Sequence, residues 1–119
     1  MSDRDIRLFV ADIIESIDAI EDFIKDCNYE DFISDRKTYS ATLREFIVIG
    51  EAILNIPDEM KKNFPEIEWR LIKDFRNVIV HEYFGIDNGI VWDAVMLELP
   101  ILKKHIIVLG DLLATESTV

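Results

Sequence analysis

Hydrophobic residues recur three and four positions apart over most of the chain, the spacing that places side chains on one face of an α-helix. The pattern predicts a first helix over residues 5–27 and a second long helix that follows residues 38–42 and ends near Asn55. Between them, residues 29–36 have the character of a short helix or a turn. The apolar stripe of the first helix consists of Ile6, Phe9, Val10, Ile13, Ile17, Ile20, Phe23 and Ile24.

The second half of the chain continues the same periodicity. It predicts a short helix over residues 57–62 and a third main helix over residues 66–84. Asp87 or Asn88 is expected to cap a final helix. We expect Pro100 to kink or split that helix, because proline has no N–H to donate to the preceding turn.

No stretch of strand length shows the alternation of polar and apolar residues that is typical of a β-strand. Glycine and proline, at four and three residues, are too few for a turn-rich β-sandwich. Four long amphipathic helices in one chain instead predict an all-α protein, an up-and-down bundle of four to five helices with residues 1–119 in a single domain. Gly50, inside the second long helix, is expected to permit the close approach of another helix.

The apolar stripes are rich for a domain of this size, since 50% of the residues are hydrophobic. Stripes of this kind leave apolar surface that a small single core does not cover, and such surface is typical of proteins that associate. We therefore expect a homodimer.

The net charge of −11 is unevenly distributed along the chain. Residues 1–35 contain eleven acidic and three basic residues, residues 36–81 seven and eight, and residues 82–119 six and two. An acidic chain is a poor non-specific binder of nucleic acid, because phosphate affinity comes from cationic contacts. Any contact with nucleic acid is therefore expected to use the middle third. The acidic first third is either a solvated helix face, which we prefer, or a surface for a basic partner.

Few features bear on localisation. The N-terminus lacks the basic and apolar segments of a signal peptide, and no apolar run approaches the roughly 18 residues that cross a membrane. The single cysteine, Cys27, cannot form an internal disulfide. These features predict a cytoplasmic protein with no membrane contact.

Arg76, Asn77, His81 and Tyr83 are polar residues on a helix whose other residues favour the core. At about 100° per residue, Asn77 and His81 share a face, and Tyr83 falls about 20° from Arg76. Arginine is always charged and its planar fork matches phosphate oxygens, while histidine can take or give a proton near neutral pH. Together they could bind a phosphodiester and catalyse its cleavage without a metal.

Other interpretations of these residues stay open. An arginine and a histidine five positions apart occur by chance in many helices, where they are more often surface residues. A metal site is disfavoured, because the second histidine, His105, is distant in sequence and the carboxylates are spread over solvent faces. Glu51, which follows Gly50 in an apolar stretch, could pair with Arg76 or with another basic residue.

The segment Arg76-Asn77-x3-His81-x-Tyr83 resembles the Arg-x4-His-x-Tyr motif of the HepT-like branch of the HEPN superfamily. The segment Phe46-x3-Gly50-Glu51-Ala52 is similar to the second-helix signature of that family. The resemblance continues over nearly the whole chain in Ile56-Pro57-x-Glu59, Phe64-Pro65-x-Ile67-x-Trp69 and Leu99-Pro100-x-Leu102. The combination is specific, although each piece alone is not.

This resemblance implies an HEPN-like homodimer in which two such motifs face a shared cleft. It implies a metal-independent endoribonuclease without a cofactor, which acts on tRNA or mRNA as the toxin of a toxin–antitoxin module. Arg76 would bind the scissile phosphate and stabilise charge on it. His81 would be the general base or acid for attack by a ribose 2′-hydroxyl, and Asn77 would orient His81 or the phosphate.

The resemblance also implies a partner and a means of control. The antitoxin would be a minimal nucleotidyltransferase of the MNT type, and Tyr83 matches the tyrosine to which such a partner can transfer AMP from ATP. The added bulk and negative charge beside Arg76 and His81 would block the entry of RNA. The alternative function is a non-catalytic module that binds a nucleotide or that nucleotidyltransferase. A purely structural helical dimer would leave the polar cluster unexplained.

Overall fold

The computed structural model describes residues 4–117, and every regular element in that range is helical. The α-helices are α1 (Ile6–Phe23), α2 (Tyr29–Ser34), α3 (Arg36–Leu54), α4 (Asp58–Lys61), α5 (Trp69–His81), α6 (Asn88–Asp93) and α7 (Leu99–Ser117). A 3-10 turn covers Tyr83–Gly85, and a π-helical segment, Ala94–Glu98, joins α6 to α7. The expectation of an all-α fold is confirmed.

α1 and α3 form the centre of the bundle. α3 packs against both α1 and α5, and α1 packs against α7 as well. The described residues extend over 49 × 29 × 24 Å. Side chains from most helices meet in the core, where the fully buried residues include Ile13, Ile17, Ile20, Phe32, Leu43, Ile49, Ile53, Ile79, Val91 and Ile106. The packing order places α5 at one side of the bundle, with α3 as its main neighbour.

α1 is shorter than its apolar stripe predicts. Asp5 caps its start by accepting a hydrogen bond from the backbone N–H of Arg7 at 2.8 Å. The helix ends at Phe23, whereas the pattern predicted residues 5–27. Asp26 has a φ of 65°, a left-handed conformation that cannot continue a right-handed helix, so the chain turns here towards α2.

α5 begins three residues later than predicted, at Trp69. The residue before it provides no side-chain cap. Instead, the indole N–H of Trp69 donates to the backbone carbonyls of Lys61 and Phe64, at 3.2 and 3.1 Å. The first residue of α5 therefore ties the helix to the loop that follows α4.

The C-terminal end of α5 corrects the predicted position of Tyr83. The helix ends at His81, because Glu82 leaves the helical conformation with φ −130° and ψ 38°. Tyr83 is the first residue of the 3-10 turn. The helical spacing that placed Tyr83 about 20° from Arg76 therefore does not apply.

The last long helix contains a π-helical segment where we expected proline to break it. Asp87 caps α6, as expected, by accepting two backbone N–H groups. The backbone N–H of Leu99 donates to the carbonyl of Ala94, which is the i to i−5 spacing of a π-helix. Pro100 follows immediately, and α7 continues from there. The chain therefore accommodates Pro100 with one wider turn and does not split the helix.

Apolar side chains remain exposed on the outside of the bundle, chiefly in its second half. Within residues 4–117, no helix combines the length and the apolar character needed to cross a membrane. The exposed large aliphatic residues after α4 are Leu71, Val78, Val80, Ile90, Met96, Leu97, Ile101, Ile107, Val108 and Leu112. Surface of this kind is typical of contacts with another protein.

Candidate functional site

Arg76 lies where α5 packs on α3, and its stem rests against the backbone of Gly50. A Cβ added at Gly50 would overlap Cβ and Cγ of Arg76. The expectation that Gly50 permits a close helix contact is confirmed, and the side chain that fills the space is Arg76. Only glycine leaves room for the arginine stem at this position.

The guanidinium of Arg76 is held by side chains of two helices. Its Nη2 pairs with Oε1 of Glu51 on α3, and its Nη1 donates to Oδ1 of Asn77 at 2.9 Å. Its Nε is buried and has no hydrogen-bond partner among the described residues. The Arg76 side chain is 21% exposed, compared with 52% for Glu51. The cation is therefore partly covered but still reaches the surface.

His81 is the last residue of α5 and is exposed. It lies five positions after Arg76, so the two side chains leave the helix about 140° apart and about 7.5 Å apart along its axis. Within the described residues, no hydrogen bond joins His81 to Arg76 or Asn77. The side chain of Asn77 engages Arg76 instead. The chain thus presents the two predicted catalytic groups on different faces of one helix.

Tyr83 is 38% exposed in the turn after α5. Burial of Tyr39 on α3 raises the pKa of its phenol, and electrostatic repulsion from Tyr83, Tyr29 and Asp87 raises that pKa further. Tyr83 therefore lies close to the N-terminal half of α3. The sequence pattern contained no signal for the proximity of Tyr39 and Tyr83, since it depends on the path of the chain after α5.

α5 also presents an exposed polar face. Arg70, Lys73, Asn77 and His81 fall within about 80° of one another at helical spacing. Arg70, Lys73 and His81 are exposed and Asn77 is half-buried, while Asp74 borders the face. Two fixed cations thus accompany His81 on the surface of a chain whose net charge is −11.

Outside the motif, the acidic side chains could hold a metal ion or form an ion pair with a basic residue. In the part of the chain that the structure describes, no group of three or more His, Cys, Asp and Glu residues is arranged to hold a metal ion. Glu51, whose basic partner the sequence leaves open, pairs with Arg76. The signal for that pairing was the position of Glu51 next to Gly50.

Comparison with known proteins assigns the chain to one family. The model of the ribonuclease HepT-like family matches residues 13–109, which include both the Gly50-Glu51 pair and the segment from Arg76 to Tyr83. A protein of Thermococcus cleftensis, named a probable ribonuclease HepT, is 41% identical to this chain over 100 residues. The match covers 84% of this chain and 91% of that protein.

Two proteins of Methanocaldococcus jannaschii, both of which have RNase names, are similar to this chain at comparable identity. One is 37% identical over 100 residues, covering 84% of this chain and 83% of the relative. The other is 36% identical over 106 residues, covering 89% of this chain and 97% of the relative. No solved structure matches the chain. On the family match and these identities, the chain belongs to the ribonuclease HepT-like family, a branch of the HEPN superfamily.

Proposed function

We propose that this protein is a metal-independent endoribonuclease that cleaves tRNA or mRNA as the toxin of a toxin–antitoxin module. The observation that carries the proposal is the combination of a held arginine, Arg76, and an exposed histidine, His81, on the last turns of α5. Membership of the ribonuclease HepT-like family and the RNase names of the relatives support the reaction class.

The proposed reaction uses the RNA's own nucleophile. The ribose 2′-hydroxyl attacks the adjacent phosphorus, and the bond to the 5′-oxygen breaks, which yields a 2′,3′-cyclic phosphate and a 5′-hydroxyl. His81 accepts the proton of the 2′-hydroxyl or donates one to the leaving oxygen. Arg76 binds the non-bridging oxygens and stabilises their charge in the transition state. The contact between Asn77 and Arg76 favours a role for Asn77 in orienting the arginine.

The proposal includes a homodimer, because Arg76 and His81 project about 140° apart on one helix. In a dimer, His81 of one copy can approach the phosphate that Arg76 of the other copy binds. An apolar groove of about 210 Å³ beside α5, lined in part by Leu71, Phe75 and Ile90, supports an interface on this side. Sedimentation at micromolar concentration should show a dimer, and a monomer alone would contradict this part of the proposal.

RNA binding by an acidic protein requires a local basic surface, and the polar face of α5 supplies one. Arg70 and Lys73 are exposed beside His81, where they can contact the phosphates that flank the scissile bond. Because such contacts release counterions, the affinity for RNA should fall as the salt concentration rises.

Control by a partner is proposed at Tyr83. A minimal nucleotidyltransferase antitoxin would transfer AMP from ATP, so that the Tyr83 oxygen attacks the α-phosphate and pyrophosphate leaves. The location of Tyr83 in an exposed turn supports access by a second protein. Mass spectrometry after incubation with the partner and ATP should show one added AMP on the protein and none on Tyr83→Phe. Addition of AMP to both the wild type and Tyr83→Phe would contradict the assignment of Tyr83 as the acceptor.

Cleavage is tested by incubating the purified protein with tRNA in EDTA. Arg76→Ala and His81→Ala should each lose cleavage by at least about 100-fold, since each removes a group that acts in the transition state. Arg44→Ala on α3 and His105→Ala on α7 are matched controls that remove the same residue types elsewhere, and both should cleave like the wild type. Equal activity in all five proteins would indicate a contaminating nuclease and would refute the enzyme. RNA binding without cleavage would instead favour the non-catalytic module.

A further inference from the structure

Glu51 is the one side chain of α3 that forms an ion pair with Arg76 among the described residues. We propose that Glu51 is a positioning residue, which holds the Arg76 guanidinium in the orientation that receives the scissile phosphate. This inference rests on the proposed ribonuclease function, and it assigns to Glu51 a role in the same site.

The stem and the head of Arg76 are fixed by different means. Cβ and Cγ lie in the space that Gly50 leaves open, so the backbone of α3 limits movement of the stem. This contact does not fix the guanidinium, which can still rotate about the bonds beyond Cγ. The buried Nε provides no further anchor, because it has no hydrogen-bond partner among the described residues. The orientation of the head therefore depends on its two terminal nitrogens.

Glu51 and Asn77 hold those two nitrogens from opposite sides of the helix contact. Nη2 pairs with Glu51, and Nη1 donates to Asn77 at 2.9 Å. A guanidinium has five N–H groups, and these contacts occupy one on each terminal nitrogen. One N–H therefore remains on each of Nη1 and Nη2, and these two can donate to phosphate oxygens while the anchors stay in place.

The carboxylate of Glu51 has opposite effects on binding and on catalysis. It fixes the arginine, but its negative charge also competes with the phosphate for the same cation. Removing it should leave the affinity for RNA unchanged or higher, because Arg76 keeps its charge. The rate of the chemical step should fall, because a misplaced group in the transition state can lower a rate by up to about 100-fold. A residue needed only for folding would lower the apparent kcat through the fraction of folded protein, so kcat is normalised to the folded fraction measured by circular dichroism.

The test measures kcat and KM for cleavage of one RNA by the wild-type protein and three variants. Glu51→Ala should lower kcat by about 10- to 100-fold with KM unchanged or lower. Glu51→Gln should recover most of kcat, because its amide oxygen can accept from Nη2. Glu45→Ala is the matched control, since it removes the same charge from the same helix, and it should behave like the wild type.

A second measurement is independent of cleavage. The rate at which the Arg76 Nε–H exchanges with solvent, measured by NMR, reports whether the guanidinium is held in place. The signal is assigned by its loss in Arg76→Lys. Exchange should be at least several-fold faster in Glu51→Ala than in the wild type or in Glu45→Ala. The proposal is overturned if the Arg76 Nε–H exchanges in Glu51→Ala at the wild-type rate. It is also overturned if kcat of Glu51→Ala is unchanged or higher while Arg76→Ala is inactive. If the wild type itself does not cleave RNA, the proposed function fails, and exchange alone decides whether Glu51 holds Arg76.

Discussion

α1 and α5 are both amphipathic helices of this bundle, but they use their side chains differently. α1 packs between α3 and α7 and buries Phe9, Val10, Ile13, Ser16, Ile17 and Ile20. α5 packs mainly on α3 and buries only Ile79. Leu71, Val78 and Val80 remain exposed on α5, beside the polar residues of the proposed site.

The difference separates the part of the molecule that stabilises the fold from the part that carries the candidate chemistry. A helix enclosed by neighbours on two sides has little surface left for a ligand, whereas a helix at the side of the bundle can present charged groups to solvent. Arg76 joins the two regions, because it is held against α3 and also reaches the surface. Substitutions in α1 should therefore affect stability, and polar substitutions in α5 should affect function first.

The largest expected effect is the loss of a core side chain from α1. Ile17 is fully buried, and Ile17→Ala should lower the free energy of unfolding by about 2–5 kcal/mol, measured by urea denaturation. Val78→Ala on α5, where the side chain is 41% exposed, should change it by no more than about 0.5 kcal/mol. Similar losses in both variants would mean that α5 is as important to the stability of the protomer as α1.

The contact between α3 and α5 is tested at glycine. Gly50→Ala places a Cβ on the Arg76 stem, and the resulting shift of α5 should lower the free energy of unfolding by about 1–3 kcal/mol. Gly85→Ala is the control, because nothing lies within 4 Å of an added Cβ there. If the two variants unfold at the same urea concentration, α5 does not depend on this close contact.

A smaller effect is expected at the start of α5, where the indole of Trp69 ties the helix to the preceding loop. Trp69→Phe keeps an aromatic ring but removes the donor to the carbonyls of Lys61 and Phe64. Thermal denaturation should show a loss of about 0.5–1.5 kcal/mol beyond that of Trp92→Phe, which removes the same group from a tryptophan packed on Phe32. Equal losses would show that the indole hydrogen bonds contribute nothing.

The smallest expected effect is a difference in pH dependence between the starts of the two helices. Hydrogen bonds from Arg7 lower the pKa of Asp5, the cap of α1, from 3.8 to about 2. Ionised Asp5 therefore contributes stability above its unfolded pKa, and this contribution is lost as the pH falls towards 2. Asp5→Asn should flatten the loss of stability between about pH 4 and pH 2. Glu68→Gln at the start of α5 is the control, because Glu68 makes no side-chain capping hydrogen bond that the substitution could remove.

The apolar periodicity was sufficient to predict α1 and α3, because each of these helices buries one continuous face. Ile13, Ile17 and Ile20 belong to the predicted stripe of α1, and all three are fully buried. Gly50 predicted a close helix contact because a glycine inside a helix has no local advantage. The sequence did not reveal that Arg76 fills this contact, since that depends on how α5 packs on α3.

The ends of α5 could not be predicted in the same way. Periodicity reports which face a residue occupies, but it does not report the backbone conformation of a polar residue such as Glu82. The position of Tyr83 depends on that conformation, so periodicity extends the helix over Tyr83, whereas the residue lies in the 3-10 turn after α5. The roles of Arg76, Asn77, His81 and Tyr83 stay predictions until the variants are measured.

The π-helical segment before Pro100 has a consequence for how the chain can change in length. A π-helical turn holds one residue more than an α-helical turn, so deleting one residue between Ala94 and Glu98 would let this segment close as an α-helix and keep α7 nearly in phase with α6. The same deletion in α7 before Leu102 would instead rotate the rest of that helix by about 100°. Leu102, Ile106 and Leu109, which are now buried, would then turn away from α1, so the last helix should tolerate the loss of one residue in the π-helical segment but not in the first turn of α7.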